Sequence, residues 1–220
     1  MTIDGPVASG KSAVGGRVAR RLGYRFVDTG MMYRAITCAA LDRNVDLDDH
    51  AAVARLPSNV SITMEPGAPD APQAARVVVD GADVTDRLRS PEVGEAVSLV
   101  SRVPEVRDAM VTLQREMAER GSIVMVGRDI GTVVLPDAPL KIYLDASPEE
   151  RVRRRRQELL AAGRDETLEE VRAELALRDQ IDSGRAASPL RPADDAVVID
   201  TDQLTLDDVV ERIMEAMPCR

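Results

Sequence analysis

The chain is poor in the residues that most often carry chemistry or mark a compartment. Its 220 residues include one histidine, two cysteines, no tryptophan and only four aromatic side chains (Tyr24, Phe26, Tyr33, Tyr143). His50, alone in the polar stretch DLDDHAA, leaves a zinc site or a Ser-His-Asp hydrolase almost nothing to work with. Cys38, inside an apolar run, and Cys219, at the tail, lie too far apart in sequence to suggest a metal knuckle or a disulfide framework, and both read as free thiols. No apolar run approaches the roughly 18 residues that a membrane span needs. Asp4 stands where a signal peptide would have its apolar stretch, so the expected location is the cytoplasm. Lysine is nearly missing too: Lys11 and Lys141 are the only two among 29 basic residues.

What remains is an ordinary globular composition, 44% hydrophobic and 30% charged, at a length that suits one α/β domain with a small insert. The net charge of −9 argues against a protein that coats nucleic acid or an anionic membrane. Residues 151–191 run against that balance, with ten arginines and eight acids. The centre of this segment is RVRRRR, Arg151 to Arg156. Its plain reading is a solvated helix face, but even taken alone the cluster favours a functional role over that.

Periodicity places the main elements. Nearly continuous apolar character at 2–4, 25–28, 123–126, 140–145 and 196–200 predicts five buried strands. Helical patterns alternate with them. Val14, Val18, Ala19 and Leu22 share one face of a helix starting near Lys11, and Gly23 is placed to end it. Ser147 followed by Pro148, Glu149 and Glu150 supplies an N-cap, an N1 proline and an acidic first turn for the arginine-bearing helix. Thr167 with Glu170 and Thr205 with Asp208 have capping-box spacing. This alternation predicts an α/β fold: a five-stranded parallel sheet with helices on both faces. The stretch 59–86 interrupts it, with SITMEP, the loop GAPDAPQ and then ARVVVDGADVT, and reads as a small β insert containing a hairpin. The first strand, before Gly5, is short for a central one.

Gly5-Pro6-Val7-Ala8-Ser9-Gly10-Lys11-Ser12 matches G-x-x-x-x-G-K-S, after an apolar strand and before an amphipathic helix. Glycines at 5 and 10 let the backbone curl so that successive N–H groups point inward, and the helix N-terminus adds partial positive charge. Lys11 can reach β- and γ-phosphates and the Ser12 hydroxyl can ligate Mg²⁺. A P-loop NTPase fold binding a nucleoside triphosphate is therefore expected. The guanine-reading Asn-Lys-x-Asp is absent, which removes the ordinary GTPase reading. Asp145, ending IYLD, is either a metal-directed carboxylate or simply a strand terminus.

Four further segments resemble the bacterial cytidylate kinases: DTGMMYR at 28–34, GRDIGTVVLPDAPLKIYLDAS at 127–147, the arginine-rich helix after it, and RDQIDSGRAASPL at 178–190. The β insert, about 57–90, is also typical of that family. The resemblance implies a single P-loop kinase domain: a core (about 1–28, 100–150 and 192–220), a nucleoside monophosphate-binding region carrying the insert (about 29–99), and a helical lid (about 151–191). It implies transfer of the γ-phosphate of ATP, with Mg²⁺, to CMP or dCMP, by a monomer whose partners are small molecules and not nucleic acid. Lys11, Arg128, Arg154 and Arg185 would carry the catalysis. Gly5 to Ser12 and Arg155 would hold ATP, with Ser12 on the metal. Thr29, Tyr33, Arg34, Ser98, Arg107, Arg128, Asp129, Arg178, Asp182 and Arg185 would line the CMP side. Arginine suits this work, because its planar fork binds phosphate oxygens bidentately and stays charged. Separating cytosine from uracil needs an acceptor near the exocyclic amine and a donor at the ring, which Asp129, Arg128, Arg107 and Thr29 could supply. Four positions depart from the family pattern: Val126 where an acid is expected, Ala8 and Met31 where smaller residues or glycine are expected, and, mildly, Thr29 where serine is also common. The competing readings are a kinase of the same fold acting on UMP, AMP or a sugar-like alcohol, and a nucleotide-gated protein using Arg151 to Arg156 on RNA.

Overall fold

The computed structural model describes residues 1–65, 75–185 and 188–218. The GAPDAPQ loop, Cys219 and two alanines of the RDQIDSGRAASPL segment lie outside them. Thr2–Asp4 (β1), Arg25–Asp28 (β2), Ile123–Gly127 (β6), Lys141–Asp145 (β7) and Val197–Asp200 (β8) form a five-stranded sheet in the order β2-β6-β1-β7-β8. The pairings of β1 with β7, β7 with β8 and β2 with β6 are all parallel. Three short strands, Ile62–Glu65 (β3), Arg76–Val79 (β4) and Ala82–Asp83 (β5), make a separate antiparallel sheet at the expected insert. The α/β fold with its β insert is thus as the periodicity predicts. The chain divides into two compact units, 1–18 with 127–220, and 19–126. The expected lid segment falls within the first and the expected monophosphate-binding region within the second.

In the first unit, β1 is only three residues long and every one is buried. Its register with β7 (Thr2 with Lys141, Ile3 with Ile142, Asp4 with Tyr143) brings the chain leaving β1 beside the carboxyl end of β7. The helix Lys11–Leu22 (α1) follows at once, and Gly23, at φ +66, ends it as expected. Pro148–Ala161 (α6) and Leu168–Gly184 (α7) begin at Ser147 and Thr167; the Thr167–Glu170 capping box is complete, as is Thr205–Asp208 ahead of Leu206–Glu215 (α8). Between α6 and α7, Val152, Leu159, Val171 and Leu175 are buried together, with Val7 of the phosphate loop packed against them. Arginine-rich α6 therefore has an apolar stripe of its own and is not polar all round.

The second unit holds three long helices that the periodicity did not single out: Thr29–Asp42 (α2), Pro91–Ser101 (α4) and Pro104–Glu119 (α5); a short one, His50–Ala54 (α3), precedes the insert. Nine of the fourteen residues of α2 are buried, because it serves two cores. Met32, Tyr33, Ile36 and Ala40 pack with Val97, Val100, Val106 and Met110 of α4 and α5. Ala35, Cys38 and Ala39 pack with Val77, Val79, Val84 and Leu88 of the insert region. A helix hydrophobic on both sides has no clean 3.6-residue stripe, which is why its sequence pattern is weak.

Candidate active site

The phosphate loop leaves the carboxyl end of β1, at a parallel sheet edge where ligands of open α/β sheets sit. Gly5 has φ +150 and Gly10 φ +92, so both use the freedom read into them. Ala8 also lies in the left-handed region, at φ +60, where the family pattern favours glycine. That conformation costs a non-glycine residue about 1 kcal/mol or more. Lys11 is buried, and its Nζ donates to the Pro6 carbonyl and to Ser9 Oγ at 3.3 Å. Ser12, next along and at the first turn of α1, is exposed. Together the loop offers a backbone curled at Gly5, Ala8 and Gly10, one ammonium and the hydroxyls of Ser9 and Ser12, a set suited to a triphosphate.

Arg128 and Asp129 follow β6 directly. After them Ile130–Val134 makes a single π-helical turn, closed by the Leu135 N–H on the Ile130 carbonyl at 2.7 Å. Such turns recur at functional sites because they aim side chains that a regular helix would not. Asp129 is buried. Arg128 Nε donates to the Asp182 carboxylate, whose other oxygen lies 3.6 Å from Arg185 Nη1, and Arg185 Nε reaches the Asp182 carbonyl at 3.3 Å. Burial pushes the Asp182 carboxyl up, but Arg128, Arg185 and Arg178 outweigh it and hold the group below its usual range. Arg128 and the pair Asp182 and Arg185, 54 positions apart at the Arg128–Asp182 contact, are thus one cluster.

The RVRRRR helix turns out to hold arginines of different kinds. Arg153 is exposed and grips Glu150 at 2.7 and 2.6 Å; this contact first, and Arg154 after it, holds the Glu150 carboxyl down to about 2. Arg154 bonds Glu150 at 2.8 Å and both the hydroxyl and the carbonyl of Thr201, at 2.9 and 2.7 Å. Arg155 and Arg178 share Glu174, at 3.4 and 3.6 Å. Arg156 bonds the Glu166 carbonyl at 3.2 Å. Arg151, which the sequence offered no reason to separate from its neighbours, is buried, bidentate on Asp179 at 3.0 and 2.6 Å, and directed at the Val7 carbonyl of the phosphate loop at 3.4 Å. Its only sequence signal is its place in the first turn of a helix that starts at the sheet's carboxyl edge. Next to it, a cavity of about 390 Å³ is lined by Asp145, Ala146, Ser147, Pro148, Arg151, Asp200 and Asp202. Asp145 itself is exposed and accepts the N–H of Ala146 at 2.9 Å, the behaviour of a strand terminus.

Among the site residues of the second unit, Arg107 is buried with its guanidinium 5.2 Å from the centroid of the Tyr33 ring, a cation–π stack, and its Nη1 donates to the Ser101 carbonyl at 3.2 Å. Arg34, beside Tyr33 on α2, donates to the Leu88 carbonyl at 3.1 Å and comes within 4.0 Å of where a Cβ on Gly94 would stand. Ser98 lies one turn further along α4. Thr29 is buried and its hydroxyl donates to the Val126 carbonyl at 2.9 Å, leaving its lone pairs to accept. Val126 is itself buried and apolar, in place of the acid that the family pattern favours.

A parallel sheet whose first strand runs into a phosphate loop and helix, with clustered arginines on the two helices between β7 and β8, defines a P-loop phosphotransferase. The cytidylate kinase family model matches residues 1–218. The cytidylate kinase of Geobacillus kaustophilus is 52% identical over 98% of this chain and 94% of its own length, and that of Caldanaerobacter subterraneus subsp. tengcongensis is 45% identical over 99% and 93%. This chain belongs to the cytidylate kinase family. A solved structure of an uncharacterized protein from Eubacterium ventriosum aligns at a TM-score of 0.52 with 12% identity, over 97% of this chain and 94% of that one, a likeness of fold alone.

Proposed function

We propose that the chain transfers the γ-phosphate of ATP to CMP or dCMP, giving ADP and CDP or dCDP. The observation that carries this reading is the phosphate loop at the end of β1 within a chain that matches the family over its whole length. An oxygen of the acceptor phosphate attacks Pγ, the bond from Pγ to the β,γ-bridging oxygen breaks, and ADP leaves with that electron pair. The acceptor is already ionised near neutral pH, so no general base is required. Catalysis then rests on positioning and on neutralising charge.

In this reading Lys11 and the backbone N–H groups of Gly5 to Ser12, Pro6 excepted because it has none, hold the β- and γ-phosphates. The chain offers the metal one exposed hydroxyl, Ser12, and the described residues contain no group of three or more His, Cys, Asp or Glu placed to hold an ion. That donor set fits a Mg²⁺ carried in by ATP and held mainly by phosphates and water. When bound, the ion neutralises charge on the β- and γ-oxygens. The polar cavity beside Arg151 suits the nucleoside end of ATP. Arg128, Arg154 and Arg185 neutralise the transferring group, and Arg155 adds charge on the ATP side. Tyr33, Arg34, Ser98, Arg107, Arg178 and Asp182, with Thr29 and Asp129, receive the monophosphate, Asp129 facing the cytosine amine. The protein acts as a cytoplasmic monomer on small molecules. No helix among the described residues is long and apolar enough to cross a membrane.

A coupled ADP-release assay with Mg²⁺ and ATP against CMP, dCMP, UMP, AMP and GMP tests the assignment; a preference for any acceptor other than CMP or dCMP refutes it. Asp129→Asn is expected to lower kcat/KM for CMP by about 2 to 4 kcal/mol, since a buried recognition bond disappears, while the KM for ATP barely changes. Equal losses toward both substrates would make Asp129 structural. Residues 151–191 act as a lid in this reading: Arg154 must leave Glu150 and Thr201 to reach a phosphate. Amide exchange there is expected to slow when a bisubstrate analogue binds, and equal protection with and without the analogue would remove the lid.

A further inference from the structure

Asp4 is a buried carboxylate to which no role has yet been given. It ends β1, immediately before the phosphate loop, and its two oxygens accept the N–H groups of Ile130 at 2.9 Å and Gly131 at 2.7 Å. Those are the first two residues of the π-helical turn behind Arg128 and Asp129. Gly131 is part of the same fit. A Cβ there would stand 3.0 Å from Thr2 Oγ1, 3.3 Å from Asp4 Oδ2 and 3.3 Å from Lys141 Cδ, so the turn sits closely on β1 only because no side chain intervenes.

We propose that Asp4 is a positioning residue of the phosphotransfer, its carboxylate clamping the Ile130 and Gly131 N–H groups so that Arg128 and Asp129 are held in register with the phosphate loop. The inference rests on the assignment of Arg128 and Asp129 to the acceptor side.

The charge on this carboxylate is held at a cost. Burial raises the Asp4 carboxyl to about 6, against the lowering effect of the two N–H groups; nearby Asp129 raises it further and Lys11 lowers it. Tyr143, in register with Asp4 on β7, is neutral over the same range, its hydroxyl pushed up to about 12 chiefly by its own burial. A carboxyl raised above its usual 3.8 contributes stability that is complete below 3.8 and lost as pH rises through about 6. At neutral pH the ionised clamp therefore destabilises the fold. Below about 6 it protonates, one oxygen becomes a donor, and the grip on one of the two N–H groups is lost.

Asp4→Asn in the full chain tests this, because the amide keeps one acceptor and turns a donor toward the other N–H. The expected result is a fall in kcat/KM for CMP of about ten-fold or more, with the KM for ATP changed by less than about three-fold. The Tm of the variant is expected to equal or exceed that of the parent at pH 7.5, the gap closing at pH 5. A residue that only props up the fold would lose Tm at both pH values together with activity; that outcome overturns the proposal, as does an unchanged kcat/KM or an equal loss toward ATP. If Asp4→Asn does not fold, hydrogen exchange at the Ile130 and Gly131 amides of the parent protein decides: strong protection of both supports the clamp, and exchange of either at the rate of an exposed amide overturns it. Arg128→Ala with normal CMP kinetics would remove the acceptor-side assignment while leaving that protection in place, so the two failures are distinguishable.

Discussion

Lys11→Ala is expected to lower kcat by at least ~10³, equivalent to about 4 kcal/mol of transition-state stabilisation, while the protein still folds. The ammonium lies inside the loop, on the Pro6 carbonyl and Ser9 Oγ, so it is held where a β- or γ-phosphate oxygen would compete for the same protons. The loop does not depend on that side chain for its curvature. The positive φ of Gly5 and Gly10 and the Val14 N–H on the Gly10 carbonyl at 3.0 Å set its path. Removing the ammonium therefore removes charge at the transferring group without removing the cradle. Steady-state kinetics with ATP and CMP, beside a circular-dichroism melt, is the measurement. A folded variant with near-normal turnover would eliminate the phosphate-loop mechanism.

Gly5→Ala is expected to be the more damaging substitution for the fold. A Cβ at Gly5 would stand 2.1 Å from the Leu144 carbonyl oxygen on β7 and 2.9 Å from Ser9 Oγ, in a backbone conformation that side chains rarely adopt. Leu144 is fully buried in the middle of the sheet and cannot retreat. The clash is with backbone, so no rotamer relieves it. Destabilisation of about 4 kcal/mol or more is expected, a fall in Tm of about 10 °C, together with loss of ATP binding. Gly10→Ala is the internal comparison: its φ is +92, but the nearest atom to its Cβ would be Val14 Cγ2 at 4.0 Å. It should show backbone strain alone, about 1 to 2 kcal/mol. Equal Tm losses for the two variants would mean that strain, and not the contact with β7, decides the requirement for Gly5.

These expectations draw on both levels of description. The phosphate loop was legible as a string, since its chemistry depends on glycine, lysine and serine at fixed short spacing and is completed by the adjoining strand and helix. The five strands were legible for a similar reason: buried parallel strands are short and nearly uniformly apolar. Caps at Ser147, Thr167 and Thr205 came from local side-chain-to-backbone bonds, and all three are made. The helices α2, α4 and α5 were not legible in the same way. They bury more than one face, and their hydrophobicity reflects neighbours supplied by the β insert and by one another.

The arginines mark the boundary most clearly. Composition and family resemblance pointed to a basic segment with phosphate-directed roles, but five arginine positions within a few turns of helix are chemically identical as text. Only the packing of α6 against α7, the phosphate loop and the end of β8 sends Arg151 inward to Asp179 and Val7, leaves Arg153 in solvent on Glu150, and turns Arg154 to Thr201. Asp4 was equally silent. In the sequence it is the last residue of a short strand and an argument against a signal peptide. In the fold, the parallel register of β1 and the π-helical turn 126 positions later place two N–H groups on its oxygens. Local spacing determined the loop, the strands and the caps, because those depend on neighbours in the chain. Burial, the partners of each arginine and the contact at Gly5 depend on groups far away in sequence, and only the tertiary structure decided them.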